Sequence, residues 1–334
     1  MGRYLARRLL QFIPVVLGTM FLLHYITTLG IQFTGDPVRA LFGDQRPPES
    51  VLVALRDRYG LDDPCLSNPG SPCFGIFIDR LGQYLQGDFG QSIRLNQSVT
   101  DLVLERAPVT LRLTFIAILF ETVVGITFGV LAALRKDKFV DNAVRVVTTL
   151  LVSTPIFVFG VLVQVFGALA LREWLISQQA PTWSIDMFSP VYNAENPWLS
   201  LVVPGIVLGA VSLASIARLT RTSLIENLRA DYVRTARAKG LPPRRTIGIH
   251  ALRNSLIPVV TYIGVDIGFL MGGALITETI FSIPGIGGLV FLAVEFQDAL
   301  VIIGVVTLLV LVFLVANLIV DVLYAVLDPR IRYD

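Results

Sequence analysis

Apolar residues gather into six blocks, at about 9–29, 110–133, 146–170, 199–217, 256–277 and 299–325. Each is close to the roughly 20 residues needed to cross a hydrocarbon core of about 30 Å at about 1.5 Å per residue. Between the first two blocks the pattern becomes amphipathic. Arg46-Pro-Pro-Glu-Ser50 leads into Val51, Leu52, Leu55 and Tyr59 and stops at Gly60, which predicts a short helix with proline at its start and glycine at its end. A second helix is predicted over 76–85, with Ile78, Leu81 and Leu85, closing at Gly87. A third starts near Ser98-Val-Thr-Asp101, a possible capping arrangement, and runs into the second block. The pattern predicts an all-α polytopic membrane protein with six transmembrane helices, a single integral domain over 1–334.

Charge orients these blocks. Only 16% of the 334 residues are charged and 54% are hydrophobic, against about 25% charged in soluble domains. Arg3, Arg7, Arg8, Arg135, Lys136, Lys138, Arg145, the stretch 218–253, Arg330 and Arg332 carry the basic clusters. By the positive-inside tendency those connections and both termini are cytoplasmic. The segment 30–109, with Asp36, Asp62, Asp63, Asp79 and Asp88, then forms an external cap. Connections 171–198 and 278–298 set Glu173, Asp186, Glu195, Glu278, Glu295 and Asp298 against Arg172, which also suits the outside. The first block follows arginines as a signal peptide would, but its length and the lack of a small-x-small site after Leu29 favour a retained anchor. Cys65 and Cys73 fall in the external segment, where either a disulfide or two free thiols fits.

The loop 218–253 carries the most specific pattern. Asp231 can cap a helix over 232–239 containing Tyr232, Arg234, Thr235, Ala236, Arg237, Ala238 and Lys239. The last turn is basic, as the helix dipole favours. Gly240 supplies a left-handed stop, and Leu241-Pro242-Pro243 restarts the chain. So short a helix needs something to pack on. Its few apolar residues suit a groove on a partner protein, while a solvated loop attracted to anionic lipid is the plainer alternative. No phosphate-binding loop, H-E-x-x-H or C-x-x-C is present. His24 and His250 stand apart, and His24 suits a packed polar residue of the first span. Metal binding and catalysis are therefore not expected, nor is nucleic-acid binding; the partner implied by composition is the lipid bilayer.

Inside the spans, Glu121 and Asp266 would cost on the order of 2.5–3.5 kcal/mol each if they faced lipid. They either line a solute pathway or make interhelical polar contacts with a partner subunit, and Asn317 and Asp321 lie nearer the cytoplasmic end. Gly264, Gly268, Gly272 and Gly273 form a small-residue ridge, suited to packing within one subunit or to a sliding interface. Pro14, Pro155, Pro204 and Pro258 can mark kinks.

Ala236, Gly240 and Leu252 resemble the EAA loop of ABC importer permeases. Arg234, Thr235, His250 and Arg253 depart from the general pattern. With His250-Ala-Leu-Arg-Asn254, those departures resemble the dipeptide/oligopeptide/nickel branch. So do Gly87-Asp-Phe-Gly-Gln-Ser92, Ser153-Thr-Pro-Ile-Phe157, Glu278-Thr-Ile-Phe-Ser-Ile-Pro-Gly-Ile-Gly287 and Asp321-Val-Leu-Tyr-Ala-Val-Leu-Asp-Pro-Arg330, which are similar to motifs of the first permease subunit there. The resemblance implies a type I importer permease of a prokaryotic plasma membrane, paired with a second, homologous permease. It implies two cytoplasmic ATPase subunits that use ATP and magnesium, an external solute-binding protein, and no cofactor on this chain. Residues 231–241 would be the coupling helix. Peptides are the implied solutes, with nickel chelates or other small peptide-like compounds as the alternative. A proton-coupled secondary transporter would show inverted repeats, and none is evident; an intramembrane enzyme would need paired catalytic groups.

Overall fold

A computed structural model describes residues 2–35, 37–40, 42, 47–59, 61–92, 94–296 and 298–327. Asp36, Arg46, Gly60, Arg330 and Arg332 lie outside them, as does the Asp-Pro-Arg end of the fourth motif. The side chains of Arg3, Arg8, Tyr59, Gly272, Gly273 and Asp321 are likewise outside the description.

The longer helices are α1 (Gly2–Thr34), α2 (Glu49–Tyr59), α3 (Phe74–Leu85), α4 (Val99–Leu134), α5 (Phe139–Ser153), α6 (Ile156–Ser177), α7 (Val202–Leu228), α8 (Asp231–Ala238), α9 (243–255), α10 (Ile257–Ile280), α11 (Ile286–Glu295) and α12 (Ala299–Leu327). The fold is all-α. Among the described residues, five stretches (Leu10–Phe33, Val99–Leu134, Ile156–Ser177, Pro197–Leu228 and Leu300–Leu318) are long and apolar enough to cross a membrane. α10 makes a sixth when its halves Ile257–Leu270 and Ala274–Ile280, bent by 53°, count as one span.

One expectation changes. The apolar run 146–170 is broken at Thr154-Pro155, so the span in that region is 156–177. Pro155 cannot continue α5, because its ring excludes the preceding residue from the helical region. Thr154 is accordingly extended, and both its N–H and its hydroxyl donate to the Leu150 carbonyl. α5 is left as an amphipathic approach helix.

Two compact units emerge, Met1–Pro108 with Gly285–Leu318, and Val109–Pro284 with Ile319–Asp328. In the first, Val38, Leu52, Leu61, Leu66 and Ile76 pack with Ile31 and Leu300 around Cys73. Cys65 and Cys73 are joined in a disulfide, with Cα atoms 5.7 Å apart. His24 is buried, and its Nε2 lies 3.2 Å from the Pro72 carbonyl oxygen. The motif 87–92 folds back on the start of α4: the Val99 N–H donates to Gly90 O and the Thr100 hydroxyl to Gly87 O. Ser92 Oγ donates to Asp298 Oδ2 at 2.6 Å, tying this turn to the residue that precedes α12.

In the second unit α7 is buried on nearly every side, as expected of a helix that is apolar all round. Its tight seam is with α4. A Cβ on Gly205 would stand 2.5 Å from Ile116 Cγ2, one on Gly209 2.7 Å from Ala117 O, and one on Gly125 2.8 Å from Ile216 Cγ2. Gly129 is equally close to Thr220. Gly125 and Gly129 of α4 face Leu213, Ile216, Ala217 and Thr220 of α7, and Gly205 and Gly209 of α7 face Ile116 and Ala117 of α4, so small-xxx-small spacing lets these helices approach at two levels. Gly209→Val is expected to lower stability by about 1–3 kcal/mol, since the obstructing atom is backbone and cannot rotate away. Thermal melting in detergent checks this, with Gly248→Ala, whose Cβ would enter open space, expected to leave the midpoint almost unchanged.

Candidate coupling site

α7 ends at Leu228, and a turn through Arg229 and Ala230 leads into α8. Ala230, not Asp231, holds the cap position, with φ −68° and ψ 150°. Its carbonyl accepts the N–H groups of Val233 and Arg234. Asp231 already has helical backbone, and its carboxylate turns outward to Arg234 at 3.3 Å. A residue inside the first turn cannot fold its side chain back onto the N–H groups two and three residues ahead as a cap does. It still complements the positive end of the helix dipole.

The other end is a Schellman stop. Lys239 caps the helix, Gly240 has φ +77°, the Gly240 N–H donates to Arg237 O at 2.9 Å and the Leu241 N–H to Ala236 O at 3.3 Å. A side chain at 240 would be strained in that left-handed conformation. Pro243 then opens α9, in which residues 246–252 form a π turn.

Where α8 packs differs from the sequence reading. Val233 and Ala236, three residues apart and so on one face, are both buried; Val233 packs with Leu224, Ile225 and Leu228 of α7, Val130 and Ala133 of α4, and Ala251 of α9. The apolar face is consumed by the chain itself. What remains outward is Asp231, Tyr232, Arg234, Thr235, Arg237, Ala238, Lys239 and Gly240, with Leu241 partly covered. Tyr232 donates to Asn227 Oδ1 of α7. Arg229, Arg244, Arg245 and Arg253 are also exposed, so the surface around α8 is basic despite Glu226 and Asp231. The site is a short helix fixed to the ends of two spans, with a cationic face turned outward.

Residues 125–333 match the family described as binding-protein-dependent transport system inner membrane component. A di/tripeptide transport system permease protein of Pseudomonas aeruginosa is 35% identical over 343 residues, covering 99% of each chain. A glutathione transport system permease protein of Escherichia coli K12 is 34% identical over 335 residues, covering all of both chains. The chain belongs to the family of binding-protein-dependent transport inner-membrane components. An inward-facing MetNI methionine ABC transporter chain shares its fold, with a TM-score of 0.51 at 18% identity over 68% of this chain and 96% of that one.

This inner-membrane component is therefore a multi-pass ABC transporter permease. The polar residues within its spans are turned inward. Glu121 of α4 is fully buried and Asp266 of α10 is 5% exposed; their carboxyl groups meet, and Ser212 Oγ of α7 donates to Asp266 Oδ1 at 2.9 Å. They bring polar groups of three spans together within one permease unit, whereas the sequence reading set a solute pathway against a contact with the partner permease. Gly264 and Gly268 lie on α10, partly and fully buried.

Two polar joints were not singled out from the sequence. Thr110 Oγ1 donates to the buried Glu278 at 2.7 Å. On the basic side, Arg221 Nε and Nη2 of α7 donate to the two carboxylate oxygens of Asp141 on α5, at 2.6 and 2.7 Å. Asp141 also accepts the Asp137 N–H at 2.8 Å and faces Arg145 at 3.4 Å. The Arg221 hydrogen bonds hold its carboxyl at a pKa of about 2, below the usual carboxylate range. A fixed charge pair thus stands one turn before Leu224, against which α8 packs. An acid within the basic stretch 135–145 was the available signal for Asp141.

Proposed function

We propose that this permease forms half of the translocation pathway of an ATP-driven, binding-protein-dependent importer of di- and oligopeptides. A second homologous permease completes the pathway, two ATPase subunits bind the cytoplasmic face and consume ATP and magnesium, and an external binding protein delivers the solute. Both termini are cytoplasmic in this reading. The relatives support the solute class, since they are named for di/tripeptides and for glutathione, itself a small peptide.

The single observation that carries the mechanism is how α8 is seated. Its stop is closed by its own backbone, its apolar residues grip α4, α7 and α9, and its cations face out. A push on that outer face is delivered to two spans at once, biasing a rigid-body switch between inward- and outward-facing states. The ATPase groove that receives it should be acidic.

Reversing Arg234 and Arg237 to Glu keeps the seat intact and sets like charge against that groove. ATP hydrolysis stimulated by loaded binding protein should fall at least about tenfold in reconstituted vesicles, with insertion unaltered. Undiminished stimulation would remove α8 from the coupling role.

A further inference from the structure

α3 has a surface that the coupling reading does not use. We propose that α3 is an interfacial helix whose Phe74, Ile78 and Leu85 face is immersed in phospholipid acyl chains, in the leaflet that holds the Thr34 end of α1.

The helix has three different faces. At about 100° per residue, Phe74, Ile78, Leu81 and Leu85 fall within a stripe of roughly 60°. Phe74, Ile78 and Leu85 are 58%, 64% and 83% exposed, too much contiguous apolar surface to leave in water. Asp79, Gln83 and Gln86 make a second exposed stripe, centred about 130° away. The third face packs inward, through Ile76 in the core around Cys73 and through Phe77 against Phe21 and His24 of α1. A helix exposing both an apolar and a polar side suits the boundary between acyl chains and water. With 12 residues it extends about 18 Å, too short to cross.

Position on α1 places it at membrane depth. Phe74 stacks on Phe21, ring centroids 5.1 Å apart, and His24 lies against Pro72. His24 precedes Phe33, where the apolar stretch of α1 ends, by nine residues, which is about 13 Å along the helix axis. The start of α3 therefore lies beside the apolar stretch of α1 and not beyond its end. Leu10 and Leu17 share the α1 face of Phe21 and are themselves exposed, so Phe74 continues the apolar wall of a transmembrane helix. That continuity favours lipid over a protein partner, for which the glutamine and aspartate stripe on the same helix has no use.

The test attaches a nitrobenzoxadiazole fluorophore to Ile78→Cys and, separately, to Gln83→Cys in the full-length chain. The two native cysteines are sealed in their disulfide, whose resistance to labelling reports an intact fold. Proteoliposomes are made with phosphatidylcholine bearing a nitroxide on the acyl chain. Severalfold stronger lipid quenching at 78 than at 83, with the reverse order for aqueous iodide, is the expected result. Equal quenching at the two positions overturns the proposal, and so does an Ile78 probe shielded from both quenchers, which would indicate a protein partner. Leu85→Cys gives the same readout if the label disturbs position 78.

Discussion

Replacing Val233 by Asp is expected to abolish coupled transport while leaving the spans inserted. Val233 is wholly buried where α4, α7 and α9 converge, and α8 has only Ala236 as a second buried anchor. Losing a buried valine forfeits about 1.5–3 kcal/mol, and an unpaired carboxylate in its place adds several more. An eight-residue helix has no intrinsic stability to set against that loss. It should leave its seat while its Schellman stop and basic face remain in the sequence. The measurements are hydrogen exchange over 231–241 and ATP hydrolysis stimulated by loaded binding protein. Fast exchange together with lost stimulation is the expected pair, and Val233→Ile should retain both properties. A Val233→Asp chain that still couples would mean that force does not enter through this contact. Pairing this variant with the Arg234/Arg237 reversal separates the two halves of the mechanism, because the reversal should lose stimulation with exchange unchanged.

Much of this was legible, and the gaps have physical causes. Block length fixed the spans because hydrocarbon thickness is a one-dimensional constraint. Hydropathy cannot see a backbone break inside an apolar run, so Ser153-Thr-Pro155 shifted the third span. The few apolar residues of the short helix called for something to pack on but did not name its owner, and the chain itself supplies the seat. Asp231 and Ala230 differ as cap by one residue, a distinction carried by backbone dihedrals. Glu121 and Asp266 were visible as misplaced charges. That they meet each other is a contact across 145 positions of sequence, invisible to local pattern. The Gly-x-x-x-Gly motifs of α4 and α7 were readable, but spacing alone does not distinguish them from the four glycines of α10.

Asp141→Ala should lower stability by about 3 kcal/mol. Arg221 would keep its charge and lose two charge-assisted hydrogen bonds, and removing one partner of such a pair costs more than the pair contributes. The figure stays at the low end because the Arg221 side chain is 20% exposed and can recover water. The same pair predicts an acid response. With the folded pKa at about 2, below the ordinary carboxylate value of 3.8, the unfolded chain binds the proton more readily. The stabilisation is fully present above about pH 4 and is lost as pH falls toward about 2. Melting temperatures of the detergent-solubilised protein across that window check the sign: the wild type should lose stability on acidification, and Asp141→Asn should start lower and fall less steeply. Arg221 lies one turn before Leu224, so the variant should also loosen the surface on which Val233 rests. Faster exchange in α8 of Asp141→Asn is the further expectation, and unchanged exchange there would show that the ion pair fastens α5 to α7 without stiffening the coupling seat.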